Sequence, residues 1–269
     1  MRYGMIAGNG RFPLLALESA RQLGYEMVVI ALREEASKEV EALAARCYWV
    51  SIGQLGKLID ICKEEGITEV MMCGQVKHAK IFSSIRPDWR LVKLLAKLPL
   101  QNTDGLIGGV IQVLEDEGIH LRDSTMLLKP MLATAGVMTR RKPNKEEIAN
   151  IDYGRRVANA LAGFDVGQSV AICDRACVAV EAMEGTDAML RRAATLVNGR
   201  GMAMVKVARR REHLLFDVPV VGLDTIPVMR ETGATVLSVE AGRTLMLDKE
   251  KMLEAADGAG IAVVGQDAG

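Results

Sequence analysis

The chain has 269 residues, 49% hydrophobic and 25% charged, and its 34 basic and 34 acidic side chains give a formal net charge of zero. That length exceeds the usual domain of about 100–200 residues and points to two domains, each able to bury its own core. Balanced charge supplies no general field for a polyanion, so nucleic acid is excluded as an expected partner, and nothing in the composition marks a disordered chain.

The first elements alternate. A strand through Tyr3-Gly4-Met5-Ile6-Ala7 runs into Gly8-Asn9-Gly10-Arg11-Phe12-Pro13, and strands are predicted at Met27–Leu32, Cys47–Ser51 and Glu69–Cys73. Between them the 3.6-residue period predicts helices over Phe12–Gly24, Glu34–Ala45 and Gln54–Gly66. Alternation of this kind builds a parallel sheet covered by helices, a Rossmann-like α/β domain.

A strand that ends in Gly-x-Gly at a helix start lets backbone N–H groups approach a phosphate or sugar, and the helix N-terminus favours negative charge. Gly8, Asn9 and Gly10 are the candidates, with Pro13 suited to a first helical turn; a tight turn without ligand is the plain alternative. A dinucleotide fingerprint wants a third glycine at position 13 and an acid closing the second strand. This chain has Pro13 and Ala31-Leu32-Arg33 there. NAD is disfavoured, and Arg33 leaves an NADP-dependent oxidoreductase as an alternative.

Gly74-Gln75-Val76-Lys77 follows the fourth strand at the edge where open α/β sheets bind ligands: Gln75 suits a base or sugar edge, Lys77 a phosphate. Thr103-Asp104-Gly105, with Gly108 and Gly109, reads either as a second binding turn or as a cap followed by close packing. Between them Arg86, Arg90, Lys93 and Lys97 recur at helical spacing opposite Leu91, Leu94, Leu95 and Leu98. Such a helix either rests on its own core or contacts an anionic membrane surface.

A turn-rich basic stretch, Thr139 to Asn144, marks the boundary, and Asn144 with Glu147 predicts an N-cap and capping box for a helix through about Leu161. The expected organisation is residues 1–132, a linker at 133–143, and a separate mixed α/β domain at 144–269. There the pattern predicts strands at Ser169–Cys173, Cys177–Glu181, Met202–Val207, Thr235–Glu240, Thr244–Leu247 and Ile261–Val264. Helices are predicted from Thr186-Asp187, from Asp224 or Thr225 to Gly233, and over Lys249–Ala256.

The same half spaces Asp174, Glu181, Glu184, Asp187, Asp217 and Asp224 around apolar strands. Only His78, His120 and His213 are available as imidazoles, far apart in sequence, so oxygen ligands and hence Mg²⁺ or Mn²⁺ are expected. Asp217, held before Val218-Pro219, suits a metal ligand or a base that orients water, and Lys206 suits a phosphate counter-charge. Turn and cap roles are the alternative for the carboxylates. Met183, Met189, Met202, Met204 and Met229 suit an adaptable apolar groove or a core. Five cysteines, 47, 62, 73, 173 and 177, form no Cys-x-x-Cys pair, and no apolar run approaches about 18 residues, so a soluble protein of a reducing cytoplasm is expected.

Ile6-Ala-Gly-Asn-Gly-Arg-Phe-Pro13, Gly74-Gln-Val-Lys77, Asp104-Gly-Leu-Ile-Gly-Gly109, Glu181-Ala-Met-Glu-Gly-Thr-Asp187 and Phe216-Asp-Val-Pro219, in this order along nearly the whole chain, resemble the UDP-2,3-diacylglucosamine pyrophosphatase family of the LpxI type. The resemblance implies a cytosolic, dimeric hydrolase of lipid A synthesis, working at the inner face of the inner membrane. It would cleave UDP-2,3-diacylglucosamine to UMP and 2,3-diacylglucosamine 1-phosphate with a divalent cation. It also implies that Gly8, Asn9, Gly10, Phe12, Pro13, Gly74, Gln75, Lys77, Thr103 and Asp104 serve the substrate. Asp217 would be the essential acid, Lys206 would steady the pyrophosphate, and Glu181, Glu184 and Asp187 would support the ion. Thr103 stands where many relatives carry the first acid of an Asp-Asp pair, a departure from the family's pattern that bears on any pairwise role for that position. A non-catalytic UDP-sugar or lipid-binding module is the remaining rival.

Overall fold

The computed structural model describes residues 1–76, 87–96, 103–164, 166–209 and 218–267, with backbone alone for Thr103 and Asp104. Two units divide the chain, Met1–Leu128 and Lys129–Gly269. The stretch expected as a linker, 133–143, falls inside the second.

In unit 1 the elements are β1 (Arg2–Ala7), α1 (Phe12–Gln22), β2 (Glu26–Leu32), α2 (Val40–Leu43), β3 (Arg46–Val50), α3 (Leu55–Glu64), β4 (Glu69–Cys73), α4 (Trp89–Leu95), α5 (Thr103–Asp116) and β5 (His120–Leu121). The five strands pair in parallel in the order β3-β2-β1-β4-β5. Chain order reverses beside β1, so the carboxyl ends of β1 and β4 flank the crevice where such sheets bind ligands. β2 is buried along nearly its whole length, as a strand covered on both faces must be.

The expected Glu34–Ala45 helix shrinks to Val40–Leu43. The Glu35 and Ala36 N–H groups both bond back to the Leu32 carbonyl, closing a turn, and Val40 is the residue this helix buries. Arg90 and Lys93 of the basic stretch lie in α4, capped by Asp88 through the Leu91 N–H, while Arg86, Lys97 and Leu98 lie outside the described residues. Leu91 and Leu94 are buried, and Arg90 is paired with Glu117.

Unit 2 contains a short 3₁₀ turn (Lys129–Met131), β6 (Gly136–Val137), α6 (Lys145–Gly163), β7 (Ser169–Cys173), β8 (Ala176–Val180), α7 (Thr186–Val197), β9 (Met202–Lys206), β10 (Val220–Gly222), α8 (Thr225–Thr232), β11 (Ala234–Glu240), β12 (Leu245–Leu247), α9 (Lys249–Gly258) and β13 (Ala262–Gln266). Its main sheet runs β6-β13-β11-β9-β7-β8, and β10 pairs with β12 separately. β9, β11 and β13 are parallel, whereas β7, β8 and β6 run against their neighbours, so the sheet is mixed.

Two apolar layers cover the faces of this sheet. Ile151, Ala158 and Ala162 of α6 pack on Val170, Ile172, Ala203, Val205 and Val236. On the other face Met189, Leu190 and Ala193 of α7, Met229 of α8 and Met252 of α9 meet Ala171, Met202, Met204 and Leu237. Four of the five methionines suggested for a groove, at 189, 202, 204 and 229, therefore fill this core, while Met183 is exposed. The Asn144 capping box forms in full and starts α6. Among the described residues no helix is long and apolar enough to cross a membrane.

Candidate functional site

In unit 1 the turn after β1 is zipped to the loop after β4. Asn9 and Gln75 exchange backbone hydrogen bonds at 2.7 and 2.9 Å, and the Gly8 N–H reaches the Cys73 carbonyl at 2.8 Å. A Cβ on Gly8 would lie 2.6 Å from the Gln75 carbonyl oxygen, and one on Gly74 would lie 2.6 Å from that of Asn9. Gly8 and Gly74 thus let two backbones touch. Gly10 differs: at φ +96° it has no atom within 4 Å of a Cβ position, so its backbone faces open space.

Phe12 and Pro13 are buried and anchor the start of α1, which has no side-chain N-cap bond. The start of α1, the open face of Gly10, the half-exposed Asn9 and the exposed Gln75 stand together at the carboxyl edge of the sheet, with the Gly10 N–H turned onto Asn9 Oδ1 at 2.7 Å. This set suits a phosphate or sugar edge. Lys77 lies outside the described residues, and Thr103 and Asp104 are placed only as the backbone of the first turn of α5.

In unit 2 the antiparallel pairing of β7 with both neighbours assembles a buried polar cluster at the carboxyl end of β9. Ser169 sits directly across from Lys206, and the Glu181 N–H bonds the Ser169 carbonyl at 2.9 Å. Gly167 permits this, since a Cβ there would stand 2.0 Å from the Glu181 carbonyl oxygen. Lys206 donates to Ser169 Oγ at 3.1 Å and to Thr186 Oγ1 at 3.0 Å. Thr186, the first residue of α7, donates in turn to Glu181 Oε1 at 2.6 Å. The ammonium is 3.7 Å from Glu181 Oε2, an ion pair, and that oxygen is buried with no hydrogen bond among the described residues.

Burial alone would push the Glu181 carboxyl up. The Lys206 ammonium and hydrogen bonds from Ser169 and Thr186 outweigh it and hold the group below its ordinary value. A buried Lys–Glu pair at a sheet's carboxyl edge is a candidate working site, because desolvation makes such a pair a weak source of stability.

The remaining carboxylates do not join this cluster. Glu184 is exposed, pairs with Arg192 and supports the Ala182 N–H; that arginine holds its carboxyl below the usual range. Asp187 is exposed in the first turn of α7. Asp174 pairs with Arg200 at the β7–β8 turn, and Asp224 directly precedes α8. Among the described residues no three His, Cys, Asp or Glu side chains gather to hold a metal ion. A divalent cation beside Glu181 would also meet the Lys206 ammonium, so Glu181, Glu184 and Asp187 do not fit a metal nest. Asp217 lies outside the described residues. Ser169 and Thr186, which sequence reasoning passed over, read alone as a strand residue and a helix-start residue; their role emerges from strand pairing.

Sequence models of the LpxI N-terminal domain and the LpxI C-terminal domain match residues 2–131 and 134–264. A curated UDP-2,3-diacylglucosamine pyrophosphatase LpxI from Caulobacter vibrioides is 32% identical over 276 residues, covering 99% of this chain and 98% of its own. Among solved structures, phosphoribosylglycinamide synthetase from Anaerococcus prevotii aligns with 64% of this chain and 31% of its own at 15% identity and a TM-score of 0.28. N5-carboxyaminoimidazole ribonucleotide synthetase from Thermotoga maritima aligns with 64% and 33% at 12% identity and a TM-score of 0.29. The chain spans about a third of those synthetases, and at such scores they bear on neither fold nor chemistry. The chain belongs to the LpxI family.

Proposed function

We propose that this LpxI-family chain hydrolyses the pyrophosphate bond of UDP-2,3-diacylglucosamine, releasing UMP and 2,3-diacylglucosamine 1-phosphate for lipid A synthesis. The observation that carries the reading is the end-to-end match to a curated pyrophosphatase of that name. The side chains at both sites are compatible with it. Water attacking a diphosphate meets like charge, so fixed cations and donors facing the phosphate oxygens are the largest expected help. Lys206 offers such a cation at the edge of unit 2, and the start of α1 just after Gly10 offers a helix N-terminus in unit 1.

Asp217 is proposed as the acid that orients the attacking water or holds a divalent cation. Mg²⁺ or Mn²⁺ is commonly bound by one or two carboxylates together with the substrate's own phosphates, which asks for no preformed nest of acids. Bound in this way, the cation would neutralise charge on the diphosphate. Action in the cytoplasm at the inner face of the inner membrane, and a homodimer, belong to the same proposal, motivated by a substrate with two acyl chains and by the family resemblance.

Purified protein incubated with UDP-2,3-diacylglucosamine and Mg²⁺ or Mn²⁺ should release UMP, with turnover lost on chelation and restored by the metal. In ¹⁸O-labelled water the label enters one of the two phosphate products and identifies the phosphorus attacked. Absence of UMP in the presence of either metal overturns the hydrolase reading; turnover undiminished by chelator overturns the cation.

A further inference from the structure

We propose that Thr186 is a positioning residue for Lys206, a hydroxyl spacer that stops the ammonium from closing onto Glu181. The inference rests on the hydrolase reading above and gives Thr186 a role within it. Lysine only donates hydrogen bonds, and an ionised carboxylate only accepts them. The direction of the Thr186 hydroxyl is therefore fixed: its proton goes to Glu181 Oε1 at 2.6 Å, and its oxygen accepts from Lys206 at 3.0 Å.

The consequence is visible in the third side of the triangle. An ammonium and a carboxylate free to meet settle at about 2.7–2.9 Å. Here Lys206 Nζ stops at 3.7 Å from Glu181 Oε2, and that oxygen, though buried, has no hydrogen bond among the described residues. With one N–H on Ser169 and one on Thr186, the third N–H of Lys206 takes no described hydrogen bond, and it remains for a phosphate oxygen.

Local structure explains why Thr186 can act as a wedge. It opens α7 immediately after Gly185, whose φ of +82° is one that glycine adopts readily at such a turn. Threonine branches at Cβ, which limits its rotamers and holds the hydroxyl in place. Removal of the hydroxyl would let Lys206 fall the remaining distance to Glu181. A contact ion pair would be stronger and its cation withdrawn from substrate.

The test compares Thr186→Val, close in shape but unable to bridge, with Thr186→Ser, which keeps the hydroxyl. Steady-state UMP release should show kcat lowered about 10- to 100-fold in Thr186→Val, the range expected when hydrogen bonding at a charged group is lost. Thr186→Ser should stay within about threefold of wild type with a thermal midpoint near the wild-type value, whereas Thr186→Val lowers the midpoint as well, since it leaves two buried charged groups short of a hydrogen bond. If Thr186→Val does not fold, Thr186→Ala carries the same expectation. Wild-type turnover together with an unimpaired Val or Ala variant, or a Ser variant as impaired as Val, overturns the assignment alone. A wild-type protein that releases no UMP overturns the hydrolase reading beneath it.

Discussion

Lys206 and Glu181 face each other across 3.7 Å with a threonine hydroxyl bridging them, in a pocket where both side chains are about nine-tenths removed from solvent. Taking two charges out of water costs several kcal/mol per ion, and mutual attraction at this separation only partly offsets that cost. The pair is therefore poorly explained by stability and better explained by use.

Lys206→Met leaves Glu181 buried without its counter-charge and should lower unfolding free energy by about 3 kcal/mol, whereas Lys206→Met combined with Glu181→Leu should return to within about 1 kcal/mol of wild type. Both variants should have lost UMP release. Denaturant melts of the three proteins decide it, and a double variant no more stable than the single would show that the pair is structural.

The glycines of unit 1 should separate into packing and binding classes. Gly74→Ala places a methyl 2.6 Å from the Asn9 carbonyl oxygen at φ +93°, and should cost about 2 kcal/mol or more in the unfolding of unit 1. Gly10→Ala meets no neighbour within 4 Å and carries only the strain of its φ of +96°, about 1 kcal/mol. If a nucleotide phosphate approaches this turn, Gly10→Ala should raise KM several-fold while the protein stays folded. An unchanged KM would remove Gly10 from the binding surface.

Much of this architecture is legible in sequence because it is local. The Asn144 and Glu147 pair announces the start of α6, and the β-rich runs near Met27, Cys47 and Glu69 fall on strands within a residue or so. What escapes is set by distant partners. Gly136–Val137 becomes a strand because Val264 and Gly265 of β13 lie beside it, with no period of its own to reveal it. Ser169 meets Lys206 only through antiparallel register, and Glu181 joins them only because β8 returns along β7. Acidic spacing alone suggested a shared cation for Glu181 and Glu184, whereas each found a basic partner, Lys206 and Arg192.

Acid should weaken unit 2 through Glu147. Burial would raise this carboxyl, but the Arg141 guanidinium and hydrogen bonds from Thr235 and the Asn144 N–H hold it below its ordinary value of 4.5. A carboxyl depressed in the folded state contributes stability that is complete above pH 4.5 and is lost as pH falls through the lower folded value. Glu147→Gln should therefore cost about 2 kcal/mol near neutrality. The gap from wild type should narrow steadily below pH 4.5 in melts recorded across the acid range. A gap independent of pH would mean that the amide loses shape and not charge.

Asp217 supplies the sharpest test of the proposed chemistry, because the chain from Pro219 onward is held by its own backbone pairing. Two residues on, the Pro219 carbonyl accepts the Leu245 N–H at 2.9 Å, and β10 then pairs with β12 from Val220 to Gly222. Pro219 also biases Val218 toward an extended backbone, so the segment leaving Asp217 is constrained by covalent geometry. Asp217→Asn keeps size and hydrogen-bonding reach but removes the charge that orients water or binds a cation. Turnover should fall about 10²- to 10⁴-fold, the usual contribution of a positioned acid or base, with the thermal midpoint unchanged. Added Mn²⁺ should not restore it if Asp217 itself holds the ion. An Asn variant within about threefold of wild type would move the essential acid elsewhere in the chain.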